Sequence, residues 1–387
     1  MHALRMADLD LAGKRVLVRE DLNCPIKNGQ VTNDARLRAA LPTLQALMAK
    51  NARTIVVSHL GRPKEGVFDP ALSLRPVAER LGALLGFAVP LVSDWRQGVQ
   101  VGEGQLVLLE NIRFTPGEGA DDEALGRALA GLGDVFVMDA FATAHRAQAS
   151  THAVARFAPI ACAGPLLVQE LDALERIVVA PQRPVAAVTG GAKLSTKLGL
   201  IERLLEQMDL LIPGGGIANT FLGALGYPLG QSLTEPAFYD QARTLHARHG
   251  GRMLLPEDVV VAAGTEGAIT VRLIDEVHDD ERIMDIGPHS QARYAAALKG
   301  MQTIVWNGPM GAFEDEAFAT GTRAMAQAIA SSGAFSVVGG GETIEAVERF
   351  GLAEQFSYLS TAGGAFLEYL EGRTLPGVAV LEERAAP

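Results

Sequence analysis

In the first half of the chain, residues that bind anions stand just after short apolar runs. Residues 16–19 are followed by Asp21, Asn23 and Pro25, and residues 54–58 by His59, Gly61, Arg62 and Pro63. Residues 105–109 lead to Glu110, Asn111 and Arg113, and residues 135–138 to Asp139, Thr143, His145 and Arg146. A guanidinium is a planar fork of donors that fits phosphate and carboxylate. Taken singly, each arginine reads as surface decoration. Recurring at successive run ends, and joined by Arg36, they form a basic patch for a small anion that could carry both groups.

The second half repeats the placement with glycine. Residues 185–188 lead to Gly190, Gly191, Lys193 and Lys197, and residues 210–212 to Gly214, Gly215 and Gly216. Residues 303–306 lead to Asn307, Gly308, Pro309, Gly311 and Glu314. Residues 335–338 lead to Gly339, Gly340, Gly341, Glu342 and Thr343. Glycine between strand and helix lets backbone N–H groups and a helix N-terminus face a phosphate. Lys193 and Lys197, four apart, are expected on one helix face. The pattern predicts a nucleotide site. It is not a Walker loop, because G-x-x-x-x-G-K-[ST] is absent, and no G-x-G-x-x-G follows the first run. G-x-S-x-G and H-E-x-x-H are absent too.

These residues need elements to position them. The apolar runs alternate with segments of helical spacing, such as Leu198, Ile201, Leu204, Leu205 and Met208. Such alternation predicts α/β architecture, with parallel sheets covered on both faces by helices. Runs at 253–255 and 357–359 bring the strand candidates to about ten, too many for one sheet, so two α/β domains are expected. Residues 165–180, opened by Pro165, read as an amphipathic connecting helix. Pro42 is expected in the first turn of a helix running to Lys50, which would leave Arg36 in turn-like chain after Asn33 and Asp34. In open sheets of this kind the ligand crevice lies beyond the carboxyl ends of the strands, where the candidates fall.

The chain has 387 residues, 48% hydrophobic and 20% charged, which excludes a disordered polypeptide. The net charge of −11 argues against a general nucleic-acid binder. It is unevenly spread: residues 1–163 carry 18 Lys/Arg and 17 Asp/Glu, a net of +1, and residues 164–387 carry 16 and 28, a net of −12. Of the 42 glycines, 28 lie in that second part. Cys24 and Cys162 form no metal spacing or disulfide framework. With no apolar leader and no long apolar run, the expectation is a cytoplasmic protein without membrane spans.

Here the residues resemble one family, phosphoglycerate kinase. The segment RVLVREDLNCP (15–25) is similar to its N-terminal signature, and SHLGRPK (58–64), ENIRF (110–114) and DAFATAHR (139–146) to its next motifs. GGAKLSTK, PGGGIANTF, VWNGPMGAFE, GGGET and STAGGAFLE follow in family order, so the resemblance runs from Arg15 to Glu368. It implies two Rossmann-like lobes joined by a helix and a hinge. The lobes would be 1–164 and 181–370, with 165–180 connecting them and 371–387 returning to the first. It implies that Asp21, Asn23, Arg36, His59, Arg62, Arg113 and Arg146 bind 3-phosphoglycerate. It also implies that Lys197, Gly214, Gly215, Asn307, Glu314, Gly340, Gly341, Glu342 and Thr343 bind ATP or ADP with Mg²⁺, the metal contact falling to Glu342. Arg36, Lys193 and Lys197 would be catalytic, and the protein a monomer. Four departures from the usual pattern occur, one of them at Gln148 and Ala149, where other small or polar residues are found. Ala142 and Ala362 stand where glycine is common, and Glu342 stands where aspartate is common, which lengthens the arm toward a metal.

The implied reaction is 1,3-bisphosphoglycerate + ADP ⇌ 3-phosphoglycerate + ATP. In the ATP-consuming direction the nucleophile is a carboxylate, already ionised at neutral pH, so no general base is needed. The lack of an evident catalytic dyad agrees with this. Two other classes share a two-lobe form. A nicotinamide-dependent dehydrogenase would need the glycine fingerprint after the first strand, and an exported anion-binding protein would need a signal segment.

Overall fold

The structure, a computed structural model, describes residues 2–264 and 267–385. The chain divides into two compact units, Met1–Asp172 with Thr374–Pro387, and Ala173–Arg373. The division falls inside the helix Pro165–Val178.

The first unit is built on strands β1 (Arg15–Arg19), β4 (Arg53–Val57), β5 (Leu91–Val92), β6 (Leu106–Leu109), β7 (Val135–Met138) and β8 (Ile160–Ala163), in the order β5-β6-β4-β1-β7-β8. Each pairing is parallel. A hairpin of β2 (Ile26–Lys27) and β3 (Gln30–Val31) stands apart. β6 and β7, LVLL and VFVM, are buried at every residue, as helices on both faces require. The sequence pattern predicts neither β5, which is only two residues long, nor β8, IACA, which is mostly small residues between Pro159 and Gly164. The C-terminal helix Pro376–Ala385 belongs to this unit; Gly377 N–H donates to the Ala144 carbonyl (2.9 Å) and Arg384 to that of Ala158 (2.9 Å).

One helix corrects the sequence expectation. It spans Ala35–Ala49 with Pro42 inside it, so Arg36 sits in its first turn rather than before it. Proline removes one backbone donor and strains the preceding turn. Leu37, Ala40, Leu44 and Leu47 are buried on both sides of Pro42, and that burial outweighs the local cost.

The second unit has a parallel sheet of β9 (Val185–Thr189), β10 (Leu210–Pro213), β14 (Thr303–Asn307), β15 (Phe335–Gly339) and β16 (Tyr358–Ser360), ordered β10-β9-β14-β15-β16. It also has an antiparallel sheet that the sequence pattern does not predict: β11 (Asp258–Ala263), β12 (Ile269–Leu273) and β13 (Glu281–Ile286), ordered β12-β11-β13. β12 is half exposed and β13 mixes Glu281, Arg282 and Asp285 with apolar residues, so neither forms a continuous apolar run. The strand expected at 253–255 reduces to one bridge, Leu211 to Met253. Pro256, lacking an N–H, cannot extend that ladder. Among the described residues no helix is long and apolar enough to cross a membrane.

A carboxyl pair lies buried in the first unit. Glu20 is fully buried, and burial followed by the charge of Asp139 raises its pKa well above the carboxylate range. Asp139 accepts from Leu167 N–H (3.0 Å) at the start of the helix Pro165–Val178, and from the Thr43 hydroxyl. Neither Glu20 oxygen has a hydrogen-bond partner among the described residues, so nothing offsets its burial beside Asp139 and Glu20 is the acid of the pair that keeps its proton. The folded pKa is above the unfolded one, so the folded state holds an extra proton. That contribution to stability is complete below the unfolded carboxyl pKa and is lost as pH rises through the folded value. The slope is about 1.4 kcal/mol per pH unit per proton. Urea unfolding across a pH series is expected to show this slope in the wild type and to show it reduced in Glu20→Gln, which keeps the side-chain shape without titrating. Equal slopes would contradict the assignment.

Candidate active site

In the first unit the candidate residues gather at the carboxyl ends of β1, β4, β6 and β7. The centre is Arg19, the last residue of β1, with no exposed surface. Its Nε donates to Ser150 Oγ (3.0 Å), its Nη1 to the Glu20 carbonyl, and its Nη2 lies 3.2 Å from His59 Nδ1. Ser150 in turn binds Glu118, whose Oε2 accepts the Ser150 N–H (3.0 Å). A buried guanidinium is thereby given a buried carboxylate through one hydroxyl. Arginine only donates, so His59 Nδ1 accepts and the imidazole proton sits on Nε2. Burial, then the charges of Arg19, Arg113, Arg36 and Arg146, push the His59 pKa well down. His59 is a neutral donor among four guanidiniums, not a base.

The other candidates frame it. Asp21 Oδ2 accepts from Arg36 Nη1, and Asp21 Oδ1 lies 4.0 Å from His59 Nδ1. Asn23 Oδ1 accepts the Gly61 N–H (3.0 Å), and Arg113 Nη1 donates to the Gly61 carbonyl (2.6 Å). Gly61 has φ +59°, and a Cβ there would lie 2.6 Å from Leu72 Cδ2, so glycine is required for this turn. The Arg113 pKa is lowered to about 10 by burial and by Arg19 and Arg146. Arg62 and Arg146 are exposed, and Arg146 Nε donates to His145 Nε2 (3.1 Å). Ala142, in place of a common glycine, is not among the residues with positive φ, so its methyl costs no backbone strain.

The second unit's site is built from backbone. Gly190 and Gly308 cross so closely that a Cβ on Gly190 would lie 1.8 Å from the Pro309 carbonyl oxygen. Lys197 Nζ reaches this crossing: it donates to the Gly190 carbonyl (2.7 Å) and to Asn307 Oδ1. Asn307 Nδ2 donates to the Gly339 carbonyl (2.7 Å), and Thr343 Oγ1 accepts the Gly308 N–H (2.7 Å). Burial lowers the Lys197 pKa to about 8, opposed by Glu342. Gly340, at φ +97°, starts the helix Gly341–Arg349, which has no side-chain cap. Its first-turn N–H groups therefore remain available to an anion. Gly214 and Gly215 differ: their N–H groups donate to the Thr189 and Met310 carbonyls (2.9 and 3.0 Å), so they shape the wall instead. Lys193 corrects the sequence expectation. The helix is Leu198–Gln207, with Lys197 at its N-cap, and Lys193 is exposed in the preceding turn. Ser195 fixes that turn by pairing with Glu235 through N–H (2.8 Å) and hydroxyl (2.7 Å).

Beside these residues lies a cavity of about 340 Å³. Gly191, Gly215, Gly216, Pro309, Met310 and Gly311 line it together with Leu233, Pro256, Val259 and residues 283–286, and Glu314 and Glu342 line it too. An apolar slot beside unclaimed amide donors suits a nucleoside with its phosphates.

A family model described as phosphoglycerate kinase matches residues 6–373. This chain belongs to the phosphoglycerate kinase family. A phosphoglycerate kinase of Nitratidesulfovibrio vulgaris (strain DSM 19637 / Miyazaki F) is 56% identical, with both chains covered in full. The solved phosphoglycerate kinase from Coxiella burnetii is 52% identical, with a TM-score of 0.95 over 99% of this chain and 100% of that one. The one from Pyrococcus horikoshii OT3 is 32% identical, with a TM-score of 0.86 over 99% of each chain. The chain is thus a kinase, with a fold matching the family's two-lobe structures.

Two groups escape the sequence reading. Arg19 lies within an apolar strand and reads only as part of a motif. Asp285 and its neighbours come from the antiparallel sheet that the run pattern misses. Arg19→Met would remove the partner of a buried carboxylate, and urea unfolding is expected to show a loss of about 3–5 kcal/mol. A loss within about 0.5 kcal/mol, as at an ordinary surface site, would contradict the buried pairing.

Proposed function

We propose that this chain performs reversible phosphoryl transfer from 1,3-bisphosphoglycerate to ADP, giving 3-phosphoglycerate and ATP. The acceptor in the reverse direction is a carboxyl group. The observation that carries this reading is the gathering of four guanidiniums around one neutral histidine at the strand ends of the first unit. A small anion with a phosphate and a carboxylate uses such donors fully, and its carboxylate attacks without a base. Asp21, Asn23, Arg36, His59, Arg62, Arg113 and Arg146 would bind the glycerate, with the first domain taken as 1–164 plus the tail 371–387. Residues 181–370 would bind the nucleotide through Lys197, Asn307, Glu314 and the 340–343 turn, with Gly214 and Gly215 shaping the wall.

In the ATP-consuming direction the glycerate carboxylate oxygen bonds to the γ-phosphorus as the bond to the β,γ-bridging oxygen breaks, and ADP leaves with that electron pair. Charge builds on the equatorial oxygens, where Arg36, Lys193 and Lys197 would stabilise it. Among the described residues no cluster of three ligating side chains could hold a metal alone. The carboxylates of Glu342 and Glu314 line the nucleotide cavity, and such hard oxygens fit Mg²⁺ arriving with phosphates. Bound there, the ion would neutralise phosphate charge. Transfer requires both ligands in line and water excluded, so hinge closure belongs to this reading. A cytoplasmic monomer completes it.

A coupled assay with ATP, Mg²⁺ and 3-phosphoglycerate tests the reading; no turnover would overturn it. In the same assay Arg36→Ala is expected to lower turnover about 100- to 1,000-fold, the effect of one transition-state donor. Its ADP affinity, read by calorimetry, is expected to stay near wild type. Near-normal turnover would remove Arg36 from the catalytic role.

A further inference from the structure

We propose that Asp285 is a positioning residue that holds the wall of the nucleotide cavity in its binding shape. This rests on the assignment of that cavity to the nucleotide. Asp285 is near the end of β13 and is 1% exposed. Its Oδ2 accepts the Gly321 N–H (2.6 Å) and the Thr320 hydroxyl (3.3 Å), and its Oδ1 accepts the Ile286 N–H (2.9 Å). The helix Thr320–Ser331 has Ala319 at its N-cap and no capping side chain of its own. Asp285 supplies the missing acceptor from another element, and its charge complements the positive end of the helix.

The capped helix then holds the cavity. Thr322 Oγ1 accepts the Met310 N–H (3.0 Å), fixing one wall residue. Gly311 packs against Asp285 so closely that a Cβ there would lie 2.6 Å from Asp285 Oδ1. The Ala312 N–H donates to the carbonyl of the adjoining Met284 (2.9 Å). Of these three consecutive lining residues, Met310 is thus fixed by the helix that Asp285 caps, Gly311 packs on Asp285 itself, and Ala312 is held by the strand residue next to Asp285.

Burial raises the Asp285 pKa to about 7, the bonds to Gly321, Ile286 and Thr320 opposing it. No charged side chain contributes to that shift. Arg323 of the capped helix pairs with Glu316, Arg282 of β13 is exposed, and Asp258 of β11 is engaged by Ser290. Glu314 and Glu342 share the cavity. The acceptor therefore weakens as pH falls through the neutral range, because the protonated form loses its charge and one acceptor position.

The test compares ADP and 3-phosphoglycerate affinities by calorimetry on the full chain, between about pH 6 and pH 8. Wild-type ADP affinity is expected to rise with pH more steeply than that of Asp285→Asn, the ionisation of ADP being common to both. At the upper pH the variant is expected to bind ADP about tenfold more weakly, the effect of one lost charge-assisted hydrogen bond. Its 3-phosphoglycerate affinity is expected to change less than about twofold. Thr322→Val, which cuts the next link without touching Asp285, is expected to give the same selective loss. Unchanged ADP affinity in both variants, or equal loss of both ligands, overturns the positioning role. A wild type that binds no ADP overturns the nucleotide assignment and this proposal together.

Discussion

A positive charge drawn wholly or partly out of water at the end of a parallel sheet is the constraint on which each unit depends. In the first unit it is Arg19, with no exposed surface; in the second it is Lys197, whose pKa burial brings down to about 8. A charge so placed is tolerated only where its donor nitrogens have fixed acceptors. Arg19 has Ser150, the Glu20 carbonyl and His59, with Glu118 behind the serine. Lys197 has the Gly190 carbonyl and Asn307. Those acceptors dictate the local backbone, and the backbone dictates which groups face the crevice.

The two solutions differ in kind. Around Arg19 the groups proposed to bind an anion are side chains, and they crowd: burial first, then the neighbouring guanidiniums, lower the His59 and Arg113 pKa values. Around Lys197 they are main-chain amides, and the demand falls on glycine. A side chain on Gly190 would meet the Pro309 carbonyl oxygen at 1.8 Å, and one on Gly340, already at φ +97°, would meet Asn307 Nδ2 at 2.6 Å. The net charge of −11 averages these two halves. An acidic second part is compatible with the proposed nucleotide site, because the donors there are amides rather than arginines.

Much of this was legible in the sequence because strand ends are legible. Continuous apolar runs mark buried parallel strands, and the rule that ligands bind beyond their carboxyl ends turns run ends into candidate residues. That rule selects His59, Arg113, Lys197, Asn307 and Gly340. What escaped has a common cause, namely contacts between segments far apart in the chain. Pro42 looks like a helix start until the buried leucines on both sides are known. Lys193 looks helical until Glu235 is seen holding Ser195. Arg19 looks like the polar end of a strand until its buried partners are seen. The antiparallel sheet, half exposed and mixed in charge, leaves no run to read, and its wall of the cavity stays hidden with it.

In the proposed function one ligand is met by guanidiniums and the other by backbone amides. Nitrogen-15 NMR with each ligand added separately tests it most directly. The account predicts that 3-phosphoglycerate shifts the side-chain Nε–H signals of Arg36, Arg62, Arg113 and Arg146 and leaves the amides of residues 341–343 in place. It predicts that ADP moves those amides and leaves the arginine signals in place. Arginine signals that respond to ADP while the 341–343 amides stay silent would contradict it.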